Sequence, residues 1–165
     1  MILDATAGYR MMWFNKDYAG CIYIDKRKEV KPTVCCSWNK LPFPNDIFEL
    51  IIFDPPHTNP GETGKGELYK NYGALRAGKM VPTLYYATRE LLRVLKPNGY
   101  LIFKWNTHKK GLNKILQLFP IQPLFGQKTA YKTKHSSSTY WVLFRKEQRQ
   151  FTFREVTGQT QFLEA

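Results

Sequence analysis

Three short apolar runs in this sequence each end in an aspartate. The runs are residues 1–3, 21–24 and 50–53, and the acids that follow them are Asp4, Asp25 and Asp54. Short apolar runs bounded by turn residues predict buried β-strands. Open α/β sheets bind ligands at the edge where the carboxyl ends of parallel strands meet. We therefore expect these three carboxylates to gather on one rim of a sheet.

The spacing of apolar residues along the rest of the chain predicts alternating strands and helices. The predicted strands are residues 34–36 and 100–105, and the predicted helices are residues 9–16, 84–95 and 111–119, the second with Thr83 as its N-cap. A terminal antiparallel pair is predicted at residues 124–125 and 140–144, joined by a basic hairpin over residues 127–138. This order favours an α/β fold with a mostly parallel sheet, a C-terminal antiparallel strand pair and helices on both faces.

The length of the chain suits a single domain. It has 165 residues, of which 43% are hydrophobic, and a typical domain has roughly 100–200 residues. We expect the domain to cover residues 1–146, followed by a polar, mobile tail over residues 147–165. Residues 58–82 are rich in glycine and too long for an ordinary connection, so we interpret them as a mobile lid.

The cysteines and the hydropathy exclude several classes of protein. Cys21, Cys35 and Cys36 lack the spacing of a zinc module, and their odd number argues against a disulfide scaffold. Because they fall in apolar segments, we expect buried, reduced thiols and no metal site. No apolar run approaches the roughly 18 residues that cross a bilayer, and no secretion signal is visible. The sequence predicts a soluble, cytoplasmic protein without a membrane partner.

A strong positive charge predicts a polyanionic partner. The formal net charge is +12, and an excess of this size attracts nucleic acid through counterion release, although a merely solvated basic face is the alternative. Tyrosines interleave with lysines in both basic segments, a pattern suited to stacking on unpaired bases. The residues expected to bind nucleic acid are Lys65, Lys70, Arg76 and Lys79 in the lid, and Lys128, Lys132 and Lys134 in the hairpin.

The first two acids suggest an adenosine-containing cofactor. A strand, a small-residue turn ending in Gly8 and an acid at the end of the next strand place Gly8 close to a ligand and Asp25 near ribose hydroxyls. The glycine patterns of dinucleotide-binding and P-loop proteins are absent. The alternative is that Asp25 only caps the following helix.

The third acid opens the tetrad Asp54, Pro55, Pro56 and His57 directly after a predicted buried strand. The order acid, proline, proline, aromatic resembles the catalytic turn of class I amino-methyltransferases, which methylate exocyclic nitrogens of adenine or cytosine. Such an amino group is a poor nucleophile, so it needs the Asp54 carboxylate and the Pro55 carbonyl as hydrogen-bond acceptors. His57 stands where a ring could stack on an extruded base, or is a surface histidine at a strand end.

Several further segments resemble the short DNA-methylase-like proteins of phages and prophages, over residues 2–146. They are residues 3–14, 41–44, 54–57, 95–99, 101–105 and 123–126. This resemblance implies a Rossmann-like class I methyltransferase sheet and the cofactor S-adenosylmethionine, released as S-adenosylhomocysteine. It implies a cofactor site made of Asp4, Ala5, Thr6, Ala7 and Gly8, of Asp25 with Lys26, and of Ser37 and Trp38 near the adenine.

The chain departs from the wider class in ways that leave alternatives open. Its cofactor loop has fewer glycines, Ser37 stands where an acid is common, and no separate target-recognition domain fits. We expect methyl transfer to N6 of adenine or N4 of cytosine in DNA. The alternatives are the same chemistry on RNA, or a degenerate nucleic-acid-binding subunit of a larger complex. A homo-oligomer or a partner subunit is compatible with either, while a small-molecule amine leaves the charge unexplained.

Overall fold

A computed structural model of the chain describes residues 1–56, 78–107, 110–129 and 138–148. Seven strands form one sheet in the order β3-β2-β1-β4-β5-β7-β6. The strands are β1 (Ile2–Asp4), β2 (Cys21–Asp25), β3 (Val34–Cys35), β4 (Phe48–Phe53), β5 (Leu95–Asn106), β6 (Pro123–Thr129) and β7 (Thr139–Arg145). The described helices are α1 (Met80–Val94), α2 (Leu112–Leu116) and a 3₁₀ turn at Lys28–Val30.

The first five strands are parallel, and β7 is antiparallel to both β5 and β6. The predicted α/β fold, with a mostly parallel sheet and an antiparallel end, is therefore confirmed. Parallel strands need crossovers, which place the carboxyl ends of β1, β2 and β4 at one edge. That edge carries Asp4, Asp25 and Asp54.

One face of the sheet packs against both α-helices and forms the main core. Side chains alternate along each strand, so Ile51, Phe53, Leu101 and Phe103 all lie on this face and are fully buried. The α-helices contribute Leu84, Ala87, Leu91 and Ile115 to the same cluster. Packing on this face stabilises the sheet, and the residues at the carboxyl edge of the sheet are available for binding.

The segment after β1 is not a helix, so the predicted helix over residues 9–16 is wrong. The segment is a series of turns, and Arg10 has a left-handed backbone with φ 56°. Its guanidinium contacts the carbonyls of Lys16 and Lys31 at 2.7 and 3.1 Å. Trp13 folds onto the second face of the sheet, edge-on to Tyr23. These long-range contacts outweigh the helical preference of a short apolar run.

Other boundaries also differ from the sequence-based ones. Helix α1 begins at Met80, so Thr83 is not its N-cap, and Pro82 lies in the first turn, where a missing N–H is harmless. Helix α2 is shorter than predicted. Strand β6 continues to Thr129, into the predicted hairpin. Strand β6 is longer than predicted because the antiparallel strand β7 supplies its backbone hydrogen bonds, and the polar sequence of β6 does not indicate this pairing.

The cysteines do not all behave as expected. Cys21 is buried, and burial raises the pKa of its thiol to about 12. Cys35 is exposed, so the expectation of a buried thiol there is wrong, because β3 lies at the edge of the sheet. Within the described ranges, no helix combines the length and apolar character that crossing a membrane requires. Residues 58–77 of the predicted lid, the hairpin tip and most of the tail lie outside the described residues, whereas residues 80–82 of the predicted lid belong to α1.

Candidate cofactor and catalytic site

The loop that follows β1 joins the two motifs singled out in the sequence. The Asp54 N–H donates to Thr6 Oγ1 at 2.8 Å, and the Ala5 N–H donates to the Ile52 carbonyl at 2.9 Å. On the other side of the loop, the Gly8 N–H donates to Asp25 Oδ2 at 3.2 Å. The predicted cofactor loop therefore lies between the predicted ribose acid and the predicted catalytic turn, hydrogen-bonded to both.

Asp4 has both carboxylate oxygens engaged inside the protein. Oδ1 accepts from the Thr6 N–H at 3.0 Å and Oδ2 accepts from Trp13 Nε1 at 2.7 Å. The pKa of Asp4 is raised to about 6, mainly by burial. Hydrogen bonds from Trp13 and Thr6 lower this pKa, and the nearby carboxylates of Asp54 and Asp25 raise it. Asp4 therefore shapes the loop from beneath, and its contact with a cofactor stays a prediction.

This buried acid makes stability depend on pH. Between the ordinary pKa of 3.8 and about 6, the folded protein holds a proton at Asp4 that the unfolded chain has lost. The free energy of unfolding is therefore highest below pH 3.8 for this group and falls as pH rises through about 6, by roughly 3 kcal/mol. Urea unfolding between pH 4 and pH 7 measures this slope. Asp4→Asn should flatten it, and an unchanged slope would contradict the assignment.

Gly8 satisfies the requirement for a residue without Cβ in this loop. It is buried and has φ 48°, a left-handed backbone that favours glycine. Ala5 and Ala7 are also buried. Small side chains thus keep the loop tight against the sheet edge even though it contains a single glycine.

Asp25 is held by a guanidinium that the sequence reasoning missed. Arg27 binds the carboxylate in a bidentate manner, with Nε 3.0 Å from Oδ1 and a terminal nitrogen 2.8 Å from Oδ2. Burial raises the pKa of Asp25, but hydrogen bonds from Arg27 and from the Gly8 N–H outweigh burial and hold the pKa below its ordinary value. Asp25 is therefore a charged acceptor, and ribose hydroxyls would share it with Arg27. The sequence feature that could have indicated this contact is the position of Arg27, two residues after Asp25.

The other predicted cofactor contacts lie beside this acid but differ in exposure. Lys26 and Ser37 are exposed, whereas Trp38 is half-buried. The Trp38 indole packs edge-on against Phe53, with ring centroids 5.5 Å apart. Trp38 therefore belongs partly to the core below the site, and its remaining surface is available to a ligand.

The Asp54 carboxylate forms an ion pair with a second residue that sequence reasoning missed. Lys104 Nζ lies 2.7 Å from Asp54 Oδ2, and the two side chains are 26% and 14% exposed. Lys104 stands in β5 between the fully buried Phe103 and Trp105. The sequence feature that could have indicated this contact is a charged residue between two apolar aromatic residues. Because side chains alternate along a strand, such a residue lies on the opposite face from the core, here at the carboxyl edge of the sheet.

The rest of the predicted catalytic turn is only partly described. Pro55 is buried and Pro56 half-buried. His57 lies outside the described residues, as do Lys65, Lys70, Arg76, Lys132 and Lys134. Lys79 and Lys128 are described and exposed.

An open cleft of about 660 Å³ lies beyond the carboxyl end of β5. Its lining includes Thr107, Tyr140, Lys110 and Lys114. Two lysines therefore line this cleft, and Lys128 lies on β6 as the register partner of Tyr140. Lys110 and Lys114 were counted in the charge of the chain but were not predicted as binding residues, because only the fold brings them next to β7. Among the described residues, no group of His, Cys, Asp and Glu side chains could hold a metal ion.

The fold is shared with solved structures, among them methyltransferases. The PH0226 protein from Pyrococcus horikoshii OT3 has a TM-score of 0.63 and 14% identity, covering 88% of this chain and 81% of that chain. A SAM-dependent methyltransferase from Methanosarcina mazei has a TM-score of 0.58 and 11% identity, covering 88% and 92%. The N-methyltransferase NodS from Bradyrhizobium japonicum WM9, solved with S-adenosyl-L-homocysteine, has a TM-score of 0.59 and 11% identity, covering 89% and 77%.

No protein-family model and no curated protein matches the sequence. At such low identity a structural match demonstrates a common fold and leaves the substrate open. The seven-stranded sheet with its antiparallel end, the acids along its carboxyl edge and the matched structures lead to one conclusion: the chain has the fold of the class I S-adenosylmethionine-dependent methyltransferases.

Proposed function

We propose that the protein transfers a methyl group from S-adenosylmethionine to an exocyclic amino nitrogen of a nucleic-acid base, N6 of adenine or N4 of cytosine, in DNA. One observation carries this proposal. The loop after β1 is hydrogen-bonded to the Asp54 turn through Thr6 Oγ1, so a cofactor held by that loop would lie beside the groups that receive the amino nitrogen.

The residues at the sheet edge fit the proposed cofactor. Gly8 offers a close backbone approach, Asp25 offers a charged acceptor for ribose hydroxyls, and Trp38 offers an aromatic surface. When bound, S-adenosylmethionine would supply an electrophilic methyl group on a sulfonium. The matched Methanosarcina mazei structure is a SAM-dependent methyltransferase, and the matched NodS structure holds the product S-adenosyl-L-homocysteine.

The catalytic turn provides the acceptors that an amino group of this kind requires. The Asp54 carboxylate and the Pro55 carbonyl would each accept one amino hydrogen, which aligns the nitrogen lone pair and stabilises the positive charge that develops on nitrogen. The proton that the nitrogen loses can pass to the Asp54 carboxylate. Proline has no N–H of its own to satisfy, so the turn keeps its carbonyls available.

Charge supports a nucleic acid as the acceptor. The chain carries a formal net charge of +12, and Lys110 and Lys114 line one cleft beyond the carboxyl end of β5. Lys79, from the predicted lid, is exposed and immediately precedes α1. Phosphate contacts from such lysines position a polymer without reading its sequence.

One observation favours a second candidate, a nucleic-acid-binding protein without turnover. Two of the three acids of the site are paired with cations of the chain, Asp25 with Arg27 and Asp54 with Lys104. A degenerate enzyme would keep such pairs permanently. It would bind nucleic acid but show no thermal shift with S-adenosylmethionine.

Labelled methyl transfer tests the proposal directly. The full chain is incubated with methyl-labelled S-adenosylmethionine and unmodified DNA or RNA, and the product is digested to nucleosides. We expect label in N6-methyladenine or N4-methylcytosine from DNA. Label only in RNA nucleosides would shift the proposal to RNA, and no label with intact nucleic-acid binding would favour the protein without turnover.

Salt dependence tests the assignment of the cleft lysines. Each phosphate contact on a single strand adds about 0.7 to the slope of log affinity against log salt concentration. Lys110→Gln with Lys114→Gln should therefore reduce the slope by about 1.4 if both lysines bind phosphate. Fluorescence anisotropy with a labelled oligonucleotide measures it. Lys40→Gln, at an exposed position outside the cleft, serves as the control, and an equal loss in both proteins would remove the cleft from the binding surface.

A further inference from the structure

The Lys104 ammonium is shared between a carboxylate and an aromatic face. Its Nζ lies 2.7 Å from Asp54 Oδ2 and 5.4 Å from the centroid of the Trp141 ring. The second distance is within the range of a cation–π interaction. Lys104 and Trp141 are register partners on β5 and β7, so the three side chains form a row across the sheet on the face opposite the main core.

This row conflicts with the chemistry proposed for Asp54. A carboxylate that must accept an amino hydrogen has one oxygen already bound by an ammonium. That ammonium would also stand beside a nitrogen on which positive charge develops, and two like charges at such a distance repel strongly in a partly buried site. The arrangement in the structure is therefore a closed state of the acceptor.

Trp141 offers the ammonium a second position. Trp141 is 37% exposed, and the Lys104 chain already lies between it and Asp54. The ammonium can leave the carboxylate and remain bound over the ring without returning to bulk water. The exchange needs only rotation of side-chain torsions, because the backbone partners of β5 and β7 stay paired.

We propose that Lys104 is a positioning residue that occupies Asp54 until an amino group of the substrate displaces it, and that Trp141 holds the displaced ammonium. This inference rests on the proposed function, because it takes the occupant of Asp54 to be a base amino group. Only a ligand that brings hydrogen-bond donors can replace the ammonium, and it gains its contacts with Asp54 at the cost of the ion pair. A base without an amino group leaves the pair intact.

Binding of paired probes tests the inference without turnover. The first probe is an oligothymidine carrying one adenine and one cytosine, and the second has purine and 2-pyrimidinone at those two positions, which lack the amino groups. Both are titrated in saturating S-adenosylhomocysteine. For the wild type we expect similar dissociation constants, because the gain of amino contacts is offset by loss of the ion pair.

Lys104→Met should bind the amino probe about tenfold more tightly than the other probe, since one charge-assisted hydrogen bond is no longer opposed. Lys104→Arg, which holds the carboxylate more firmly, should weaken binding of the amino probe. The matched control is Lys96→Met, which removes another lysine of β5 that pairs with Glu49 at 2.7 Å. It should leave the ratio of the two constants unchanged.

A double-mutant cycle separates the role of Trp141 from simple base stacking. Trp141→Leu should weaken binding of the amino probe in the wild-type background and have no effect in the Lys104→Met background. Equal weakening in both backgrounds would show that Trp141 contacts the base directly, and would overturn its role. A wild-type probe ratio in Lys104→Met would overturn the role of Lys104, whereas absence of labelled methyl transfer would instead refute the proposed function.

Discussion

Asp54→Ala is expected to lower the rate of methyl transfer by roughly 10²–10⁴-fold, the range found when one acid–base or charge-stabilising group is removed from an active site. In the proposed mechanism the carboxylate accepts an amino hydrogen and stabilises the charge on nitrogen, and no other described carboxylate is placed to replace it. Asp4 is fully engaged by Thr6 and Trp13. Asp25 lies on the far side of the cofactor loop. The measurement is single-turnover transfer of labelled methyl groups.

The fold of this variant should stay intact, which keeps the result interpretable. The contact between the cofactor loop and the turn uses the Asp54 backbone N–H, which an alanine retains. Glu49→Ala is a suitable control because Glu49 lies at the other end of β4 and is largely exposed. It should transfer methyl groups at the wild-type rate. Equal rates for Asp54→Ala and wild type would remove Asp54 from the mechanism.

Phe103→Ala is expected to destabilise the protein by about 3–5 kcal/mol, the usual cost of removing a buried phenylalanine and leaving a cavity. Phe103 is fully buried. Its ring lies within 6 Å of three aromatic neighbours, with centroid distances of 5.9 Å to Phe53, 5.9 Å to Trp105 and 4.9 Å to Phe119. It therefore joins β4, β5 and the segment after α2 in one cluster.

Thermal unfolding measures this loss, and Tm should fall by roughly 10 °C for a domain of this size. Phe125→Ala is the matched control, because Phe125 lies in β6 and is 69% exposed. Its effect should stay within about 0.5 kcal/mol. A small effect of Phe103→Ala would mean that the cluster does not hold the sheet together as the packing indicates.

Elements whose signals are local were predictable from the sequence. The strands that end in Asp4, Asp25 and Asp54 were predicted from apolar runs bounded by turns, and the structure has them within a residue or two. The end of α1 was predicted within a residue from leucines at helical spacing, whereas β5 begins at Leu95 and includes the predicted Lys-Pro-Asn-Gly turn. The positions of these elements can be predicted because the burial of one face and the alternation of side chains leave a pattern within the segment itself.

Residues 9–16 show why local signals failed elsewhere. Met11, Met12, Trp13 and Phe14 suggested a helix, yet Met11 and Phe14 are exposed in the structure. Trp13 instead donates to Asp4 nine residues earlier, and Arg10 reaches Lys31. No periodicity in the segment indicates these partners, so the series of turns that the structure shows could not be predicted from the sequence.

The sequence by itself determined where the strands that end in acids lie along the chain, because hydrophobic runs and the residues that end them act over a few positions. Only the tertiary structure decided which cation meets which acid. Lys104 lies 50 residues from Asp54 in the sequence. Lys110 and Lys114 lie near β7 because of the fold and not because they are close to it in the sequence. Such pairs depend on strand register, and register is set by the packing of the whole sheet.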